Sequence, residues 1–284
     1  MTMATENSLA LVLGGTGKTG RRVAARLRAL GRTVRVGSRS GRPRFDWDDR
    51  STWAPALAGV GSAYLAYYPD FAVPGATDTV RSFAELAVAQ GATRVVMLSG
   101  RGEPEAQHAE SVVRDTGAEL TIVRSSWFMQ NFSEDYMLEH VLSGVVALPA
   151  GSMREPFVDA DDIADVAVAA LTDDRHIGQL YELTGPRLLT FAEVVDEIAR
   201  ASGREIGYLP VSIEEHAAAA AQHGVPGEVI DLLTYVFSEV LDGRNARLAD
   251  GVHRALGREP RDFSQYARDA AASGVFDQPR RAAV

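Results

Sequence analysis

Leu9-Ala10-Leu11-Val12-Leu13-Gly14-Gly15-Thr16-Gly17-Lys18-Thr19-Gly20 runs from an apolar stretch through a glycine loop into an amphipathic helix. The run is short, continuous and apolar, as a strand buried on both faces requires. Glycines at 14, 17 and 20 let the backbone turn sharply, approach a pyrophosphate and pack the following helix onto its strand. A phosphate belongs at that helix N-terminus, where amide hydrogens point outward. Gly17-Lys18-Thr19 also evokes a nucleotide triphosphatase. That motif needs a glycine five positions before Gly17, and the chain has Val12 there, so the reading fails on spacing.

Outward from the loop, Arg21 to Leu30 places Val23, Leu27 and Leu30 on one helical face, Gly31 ends the helix, and Thr33-Val34-Arg35-Val36-Gly37 reads as a second strand. This is a β-α-β unit. An NAD enzyme would carry Asp or Glu at the end of that strand. Here the chain reads Gly37-Ser38-Arg39-Ser40, and an arginine suits the 2′-phosphate of NADPH. Lys18 and Arg42 add charge to the same pocket. The alternative is that Arg39 and Arg42 are solvated loop charges.

The pattern repeats downstream. Ala63 to Tyr68 reads as a strand, Thr77 to Gln90 as a helix, Thr93 to Ser99 as a strand, Glu105 to Asp115 as a helix and Glu119 to Arg124 as a strand. Such alternation predicts an α/β fold, a Rossmann-type doubly wound parallel sheet. Asp161-Asp162-Ile163-Ala164-Asp165-Val166-Ala167 reads as a capped helix leading to a strand over Gln179 to Leu183. The carboxylates at 159, 161 and 162 suggest a metal site, but N-capping and the helix dipole explain them more simply, so no metal is expected. Beyond Gly185-Pro186 the pattern becomes mostly helical. Thr190 to Glu193 and Ser212 to Glu215 are capping-box starts, with Leu209-Pro210-Val211 a short edge strand between them. Residues 1–130 with 154–186 are expected to form an NADP-binding Rossmann domain. Residues 131–153 with 187–284 are expected to form a smaller, mostly helical substrate lobe over the C-terminal edge of the sheet.

A chain of 284 residues can bury a large core. Its formal charge of −9 and pI near 5.2 argue against non-specific nucleic-acid or anionic-membrane binding. The absence of cysteine excludes disulfides, thiolate metal sites and cysteine nucleophiles. No apolar run approaches a membrane span, and Met1 to Asn7 lacks the blocks of a signal peptide, which suggests a cytoplasmic protein. Lysine is almost missing while arginine abounds.

Taken together, several stretches resemble the NmrA-like atypical short-chain dehydrogenase/reductases. They are the glycine loop, Phe45-Asp46-Trp47-Asp48, Leu98-Ser99-Gly100-Arg101-Gly102-Glu103, Thr121 through Phe132, Pro156-Phe157-Val158-Asp159 and Tyr181 through Pro186. The family includes NADPH-dependent quinone, triphenylmethane and iminium reductases, ketoreductases of aromatic polyketide pathways, and redox-sensing regulators without turnover. The resemblance implies that Gly14, Thr16, Gly17, Lys18 and Thr19 wrap the pyrophosphate and that Arg39 meets the 2′-phosphate. It also implies that Asp46 and Trp47 lie near the adenine, and Tyr67, Tyr68 and Ser99 near the ribose and nicotinamide. Asp46 reads equally well as a surface turn carboxylate.

The chain departs from the wider superfamily in its proton donor. A Tyr and Lys four residues apart, usual after the fourth strand, are replaced here by Pro104 and His108. Hydride transfer can dispense with that pair when the acceptor is already electrophilic or carries an internal hydrogen bond to its own carbonyl. Ser99 and His108 are then the nearest groups to polarise an oxygen or relay a proton, with His108 otherwise a solvated helix residue. Trp127, Phe128, Met129, Phe132 and Tyr136 are expected near the nicotinamide mouth, where aromatic rings suit a flat aromatic substrate, or else as core. His216 and His223 show no ligand spacing and read as helix surface. The expected function is an NADPH-dependent reductase of a bulky aromatic small molecule, with an angucycline-type ketoreductase as its most concrete form. The alternative is an NADP(H)-sensing regulator without catalysis, which the short Arg280-Arg281 terminus does little to support. Oligomeric state is left open.

Overall fold

The computed structural model describes residues 9–277; Met1 to Asn7 and Arg280-Arg281 lie outside the described residues. β1 (Leu9–Leu13) opens the chain, and its last four residues are buried. α1 (Lys18–Ala29) turns Val23, Ala24 and Leu27 inward. β2 (Val34–Gly37), α2 (Trp53–Leu57), β3 (Val60–Leu65), α3 (Ala76–Ala89), β4 (Arg94–Gly100), α4 (Pro104–Arg114) and β5 (Glu119–Ser125) continue the alternation. The chain then forms α5 (Asn131–Glu134), α6 (Met137–Ser143), β6 (Val145–Leu148) and β7 (Arg154–Glu155) before α7 (Ala160–Thr172) and β8 (Leu180–Leu183). β9 (Leu189–Thr190), α8 (Phe191–Ser202), β10 (Gly207–Pro210), α9 (Ile213–Gln222) and α10 (Gly227–Tyr235) follow. α11 (Gly251–Leu256) and α12 (Phe263–Ala272) close the chain.

Six strands form one parallel sheet in the order β2-β1-β3-β4-β5-β8. This is the expected doubly wound α/β sheet, with the order reversing between β1 and β3, where ligands collect in such folds. Strands of a parallel sheet share one C-terminal edge, so the loops after β1, β2, β3 and β4 gather there. One strand is shifted from its expected place. Val60–Leu65 pairs with β1 and β4, whereas the sequence pattern put the strand at Ala63 to Tyr68. Gly61 hid the start of the strand, and Tyr67 and Tyr68 consequently belong to the loop beyond it.

Two compact units partition the chain: residues 1–125, 160–183 and 249–259, and residues 126–159, 184–248 and 260–284. The expected division differs at four places: residues 126–130, 154–159 and 184–186 fall in the second unit, and residues 249–259 fall in the first. Residues 249–259 join the sheet unit because α11 lies on β8 so closely that a Cβ at Gly251 would stand 2.1 Å from the carbonyl oxygen of Glu182. Arg254 lies over the Tyr181 ring at 5.3 Å, and Arg258 pairs with the buried Asp162 at 2.7 Å. Residues 154–159 join the second unit, since β7 pairs antiparallel with β9 and Phe157 packs among Phe132, Phe191 and Phe263.

Both expected capping boxes form, Thr190 with Glu193 and Ser212 with Glu215, each side chain reaching the other's backbone amide. The edge strand expected around Leu209 is β10, paired in parallel with β6. Asp161 and Asp162 stand in the first turn of α7, where the helix dipole favours them, and the carboxylates around it also have specific partners. Asp161 takes Arg22 at 3.2 Å and Arg26 at 2.5 Å, Asp165 takes Arg26 at 2.6 Å, and Asp159 accepts from Gln130 at 2.8 Å. The arginine pairs tie α1 to α7 across one face of the sheet. Among the described residues no helix is long and apolar enough to cross a membrane, and no cluster of three His, Cys, Asp or Glu side chains is placed to hold a metal.

Candidate functional site

The turn after β1 is set by close backbone approach. Gly14 has φ +60°, and its carbonyl oxygen accepts from the Gly17 amide at 2.8 Å. A Cβ at Gly20 would stand 2.3 Å from that same oxygen, and one at Gly15 would stand 2.6 Å from Val36 Cγ1. The side chain at 20 must therefore be hydrogen for α1 to start where it does. Gly17 is the N-cap of α1 and, having no side chain, places none over the first turn of the helix. Thr16 and Gly17 are exposed, Lys18 is half-buried, and the Thr19 side chain is buried toward the sheet.

Arg39 stands exposed just beyond β2, and among the described residues its guanidinium has no ion-pair or hydrogen-bond partner. Arg44 differs: it pairs with Asp46 at 2.6 Å. The Asp46 carboxylate also accepts from the Asp48 amide, and its carbonyl accepts from Trp53 Nε1 at 2.8 Å. Asp46 thus organises its own turn. Trp47 lies in an aromatic cluster with Phe45, Trp53, Tyr67 and Phe83, at ring separations of 5.0 to 6.0 Å. In the loop after β3, Tyr67 stacks on Phe71 at 5.5 Å while Tyr68 is 71% exposed.

The two proton-relay candidates are not brought together. Ser99, near the end of β4, donates its hydroxyl hydrogen to Glu110 at 2.6 Å, and that carboxylate is held in turn by Arg124 at 2.5 Å. Arg124 continues to Glu182 at 3.2 Å, which also meets Arg101 at 3.4 Å. The chain of charges braces β4, α4, β5 and β8, and it commits the only hydrogen that Ser99 has to give. His108 is exposed on α4, whose inner face carries Ala106, Ala109 and Glu110.

One group at this edge carries no motif in the sequence. Glu103 follows β4 and caps α4, with its carboxyl folded over Gly100, where a Cβ would be 2.3 Å away. Burial, with the charges of Asp70 and Glu105 beside it, pushes this carboxyl up to about 8. Asp70, in the loop after β3, is also raised, mainly by burial. The only local hint is a glutamate at an N-cap before proline, a position that favours Ser, Thr, Asp or Asn.

In the second unit the expected aromatic group divides. Met129 and Phe132 are wholly buried in its core, which leaves no face for a ligand. Phe128 is bound into a backbone bridge with Val158. Trp127 packs against Phe191 at 5.4 Å and Phe237 at 5.5 Å. Tyr136 lines a cavity, and its hydroxyl has no hydrogen-bond partner among the described residues.

No family model matches the sequence. The uncharacterized oxidoreductase YesF of Bacillus subtilis is 34% identical over 277 residues, covering 92% of this chain and 95% of that protein. Festuclavine synthase II of Penicillium roqueforti is 31% identical over 283 residues, covering 90% and 96%. Among solved structures, the triphenylmethane reductase of Citrobacter sp. complexed with NADP(H) superposes with a TM-score of 0.73 at 20% identity, covering 93% of this chain and 99% of that one.

Proposed function

We propose that this chain, which belongs to the oxidoreductase family of YesF and festuclavine synthase II, is a cytoplasmic NADPH-dependent reductase of the NmrA-like atypical short-chain type acting on a bulky aromatic small molecule. The reacting group is a ketone, quinone or iminium, and the most concrete version is a ketoreductase of aromatic polyketide biosynthesis. The observation that carries this reading is the loop after β1 together with Arg39 beyond β2. A backbone that admits no side chain at Gly20 fits a pyrophosphate laid on the first turn of α1, and an exposed, unpaired guanidinium fits a 2′-phosphate. Gly14, Thr16, Gly17, Lys18 and Thr19 would hold the pyrophosphate, Thr19 through its amide, and Tyr68 offers an exposed ring at the same sheet edge.

When bound, the cofactor supplies hydride. The protein must then orient the acceptor and, for a carbonyl, see a proton delivered to its oxygen. Ser99 can accept a hydrogen bond but cannot donate one without releasing Glu110, and His108 points outward from α4. An iminium carbon takes hydride with no proton at all. A hydroxy-substituted aromatic ketone carries its own internal hydrogen bond. Both therefore suit this site better than a simple ketone.

The test is NADPH consumption by the purified protein with a panel of quinones, polycyclic ketones and cyclic iminium ions. Turnover with at least one class is expected. Tight NADPH binding with no turnover across the panel would instead favour an NADP(H)-sensing regulator, a reading supported by the same engaged Ser99. Ser99→Ala and His108→Ala test the proton relay: a genuine relay loses about a hundredfold or more in kcat. Near-normal kcat in both would assign the proton to the substrate or to water.

A further inference from the structure

At the edge of the sheet opposite the glycine turn, the segment leading into β8 and the end of α11 bound an open cavity of about 560 Å³ within the first unit, a volume in the range of small-molecule sites. Arg175, His176, Gln179 and Tyr181 line it from the first segment, and His253 and Arg254 from the helix. No aspartate or glutamate is among its lining residues. The chain carries a formal charge of −9, with 38 acidic residues against 29 basic ones, so two arginines on a wall free of carboxylates run against the composition as a whole.

The wall is held by its neighbours. The turn before β8, Asp174–His176, is fixed where the Asp173 carboxylate accepts from the Arg175 amide at 3.0 Å and where the His176 carbonyl accepts from Thr121 of β5 at 2.7 Å. The Arg175 side chain is 73% exposed, with Asp173 at its Nε at 3.0 Å. Arg254 is exposed and pairs with no carboxylate among the described residues. Its guanidinium lies over Tyr181, and its terminal nitrogens reach the Leu180 carbonyl and the Gln179 side-chain oxygen only at 3.4 Å each. Bonds of that length are weak, so the charge is available to a ligand. His253 meets Glu259 at 3.2 Å, and Glu259 does not line the cavity.

Two buried groups register the sign of the local field. Burial, and after it Arg175, holds His176 below the usual histidine range, with Asp173 opposing and Arg94 reinforcing. Burial raises the Tyr181 hydroxyl, and Arg254 and Arg175 each oppose that rise more strongly than Asp173 adds to it. His176 and Tyr181 are hydrogen-bonded to each other at 2.8 Å, which leaves the exposed arginines as the partners for a ligand.

We propose that this cavity is an anion site separate from the glycine turn, and that it binds a phosphorylated small molecule whose phosphate is gripped by the Arg175 and Arg254 guanidiniums. Planar arginine forks match phosphate oxygens in pairs, and two of them offset a dianion, whereas a monocarboxylate would offset only one. Ala255, Leu256 and Gly257 supply an uncharged wall for the rest of the ligand. The site does not depend on the reductase reading.

The experiment is calorimetric titration of the full chain with sodium pyrophosphate at about 150 mM salt, where long-range attraction is screened, with and without saturating NADPH. One equivalent should still bind when NADPH occupies the glycine turn. Arg175→Gln, at a mostly exposed side chain, and Gln179→Glu, which sets a carboxylate in the wall, should each weaken that equivalent about tenfold or more and leave NADPH affinity within about twofold. Arg254→Gln should do the same; it also uncovers Tyr181, and the other two variants keep the test decisive if it unfolds. The proposal is overturned if no saturable binding remains with NADPH present, or if Arg175→Gln and Gln179→Glu bind pyrophosphate as the wild type does. If NADPH itself does not bind, while pyrophosphate binds and is lost in these variants, the reductase reading fails and the anion site stands.

Discussion

Glu103→Gln should make the protein more stable in alkali, an uncommon direction for a change at a charged residue. Glu103 has an ordinary carboxyl value of 4.5 and stands at about 8 in the folded chain. The folded state therefore keeps a proton that the unfolded chain surrenders above pH 4.5, so stability falls between pH 4.5 and 8 and is level beyond. Taken whole, the difference corresponds to about 5 kcal/mol at roughly 1.4 kcal/mol per tenfold. Solvent at the edge of the site screens it, and relaxation of the neighbouring Asp70 and Glu105 shares it, so about 1–3 kcal/mol is the expected loss in the wild type. The glutamine amide has no proton to lose and should remove that slope. Urea unfolding of both proteins at pH 5, 7 and 9 measures this directly. The curves should nearly coincide at pH 5 and separate by about 1–3 kcal/mol at pH 9. Parallel pH profiles for the two proteins would refute the reasoning and make Glu103 an ordinary surface carboxylate.

Arg39→Ala should weaken NADPH by about 10- to 100-fold and NADH by no more than about twofold, since only NADPH loses a charge-assisted contact; titration of each cofactor by fluorescence checks it, and an unchanged preference would mean the 2′-phosphate lies elsewhere. Gly20→Ala places a methyl 2.3 Å from the Gly14 oxygen and should abolish cofactor binding, with a thermal shift equivalent to at least about 2 kcal/mol. Glu110→Ala leaves Arg124 only its 3.2 Å pair with Glu182 and takes away the acceptor of the buried Ser99 hydroxyl, and should cost about 2–4 kcal/mol in urea melts, whereas Ser99→Ala removes one donor to Glu110 and should cost about 1–2 kcal/mol.

Features governed by neighbours along the chain are legible in the sequence alone. The β1 run, the Gly14 to Gly20 turn and the two capping boxes each depend on a few consecutive residues, and each forms where expected. Features that depend on distant partners are not legible in this way. Whether Asp161 and Asp165 cap a helix or pair with another depends on Arg22 and Arg26, which lie 135 or more residues away. The parallel pairing of β6 with β10 and the seating of α11 on β8 likewise arise between segments with no periodicity in common. Tyr68 falls into a loop because a glycine conceals the start of β3. The glycine turn at Gly14 and the place of Arg39 just beyond β2 are accordingly readable from the sequence. The raised Glu103 carboxyl and the arginine-lined cavity are not, because burial and the meeting of distant segments belong to three-dimensional surroundings that no short stretch encodes.

Lys18 is the first residue of α1, directly after the glycine turn to which the pyrophosphate is assigned in the proposed function, and it is the single lysine of the chain. Any amine-selective reagent thus has one side-chain target in this protein, and that target sits where an anionic ligand would shield it. Covalent labelling at low stoichiometry becomes a direct report of loop occupancy, without engineering and without turnover. By the same token, any modification of lysine that removes its charge, acetylation included, can act on this protein at one point only, the glycine turn before α1.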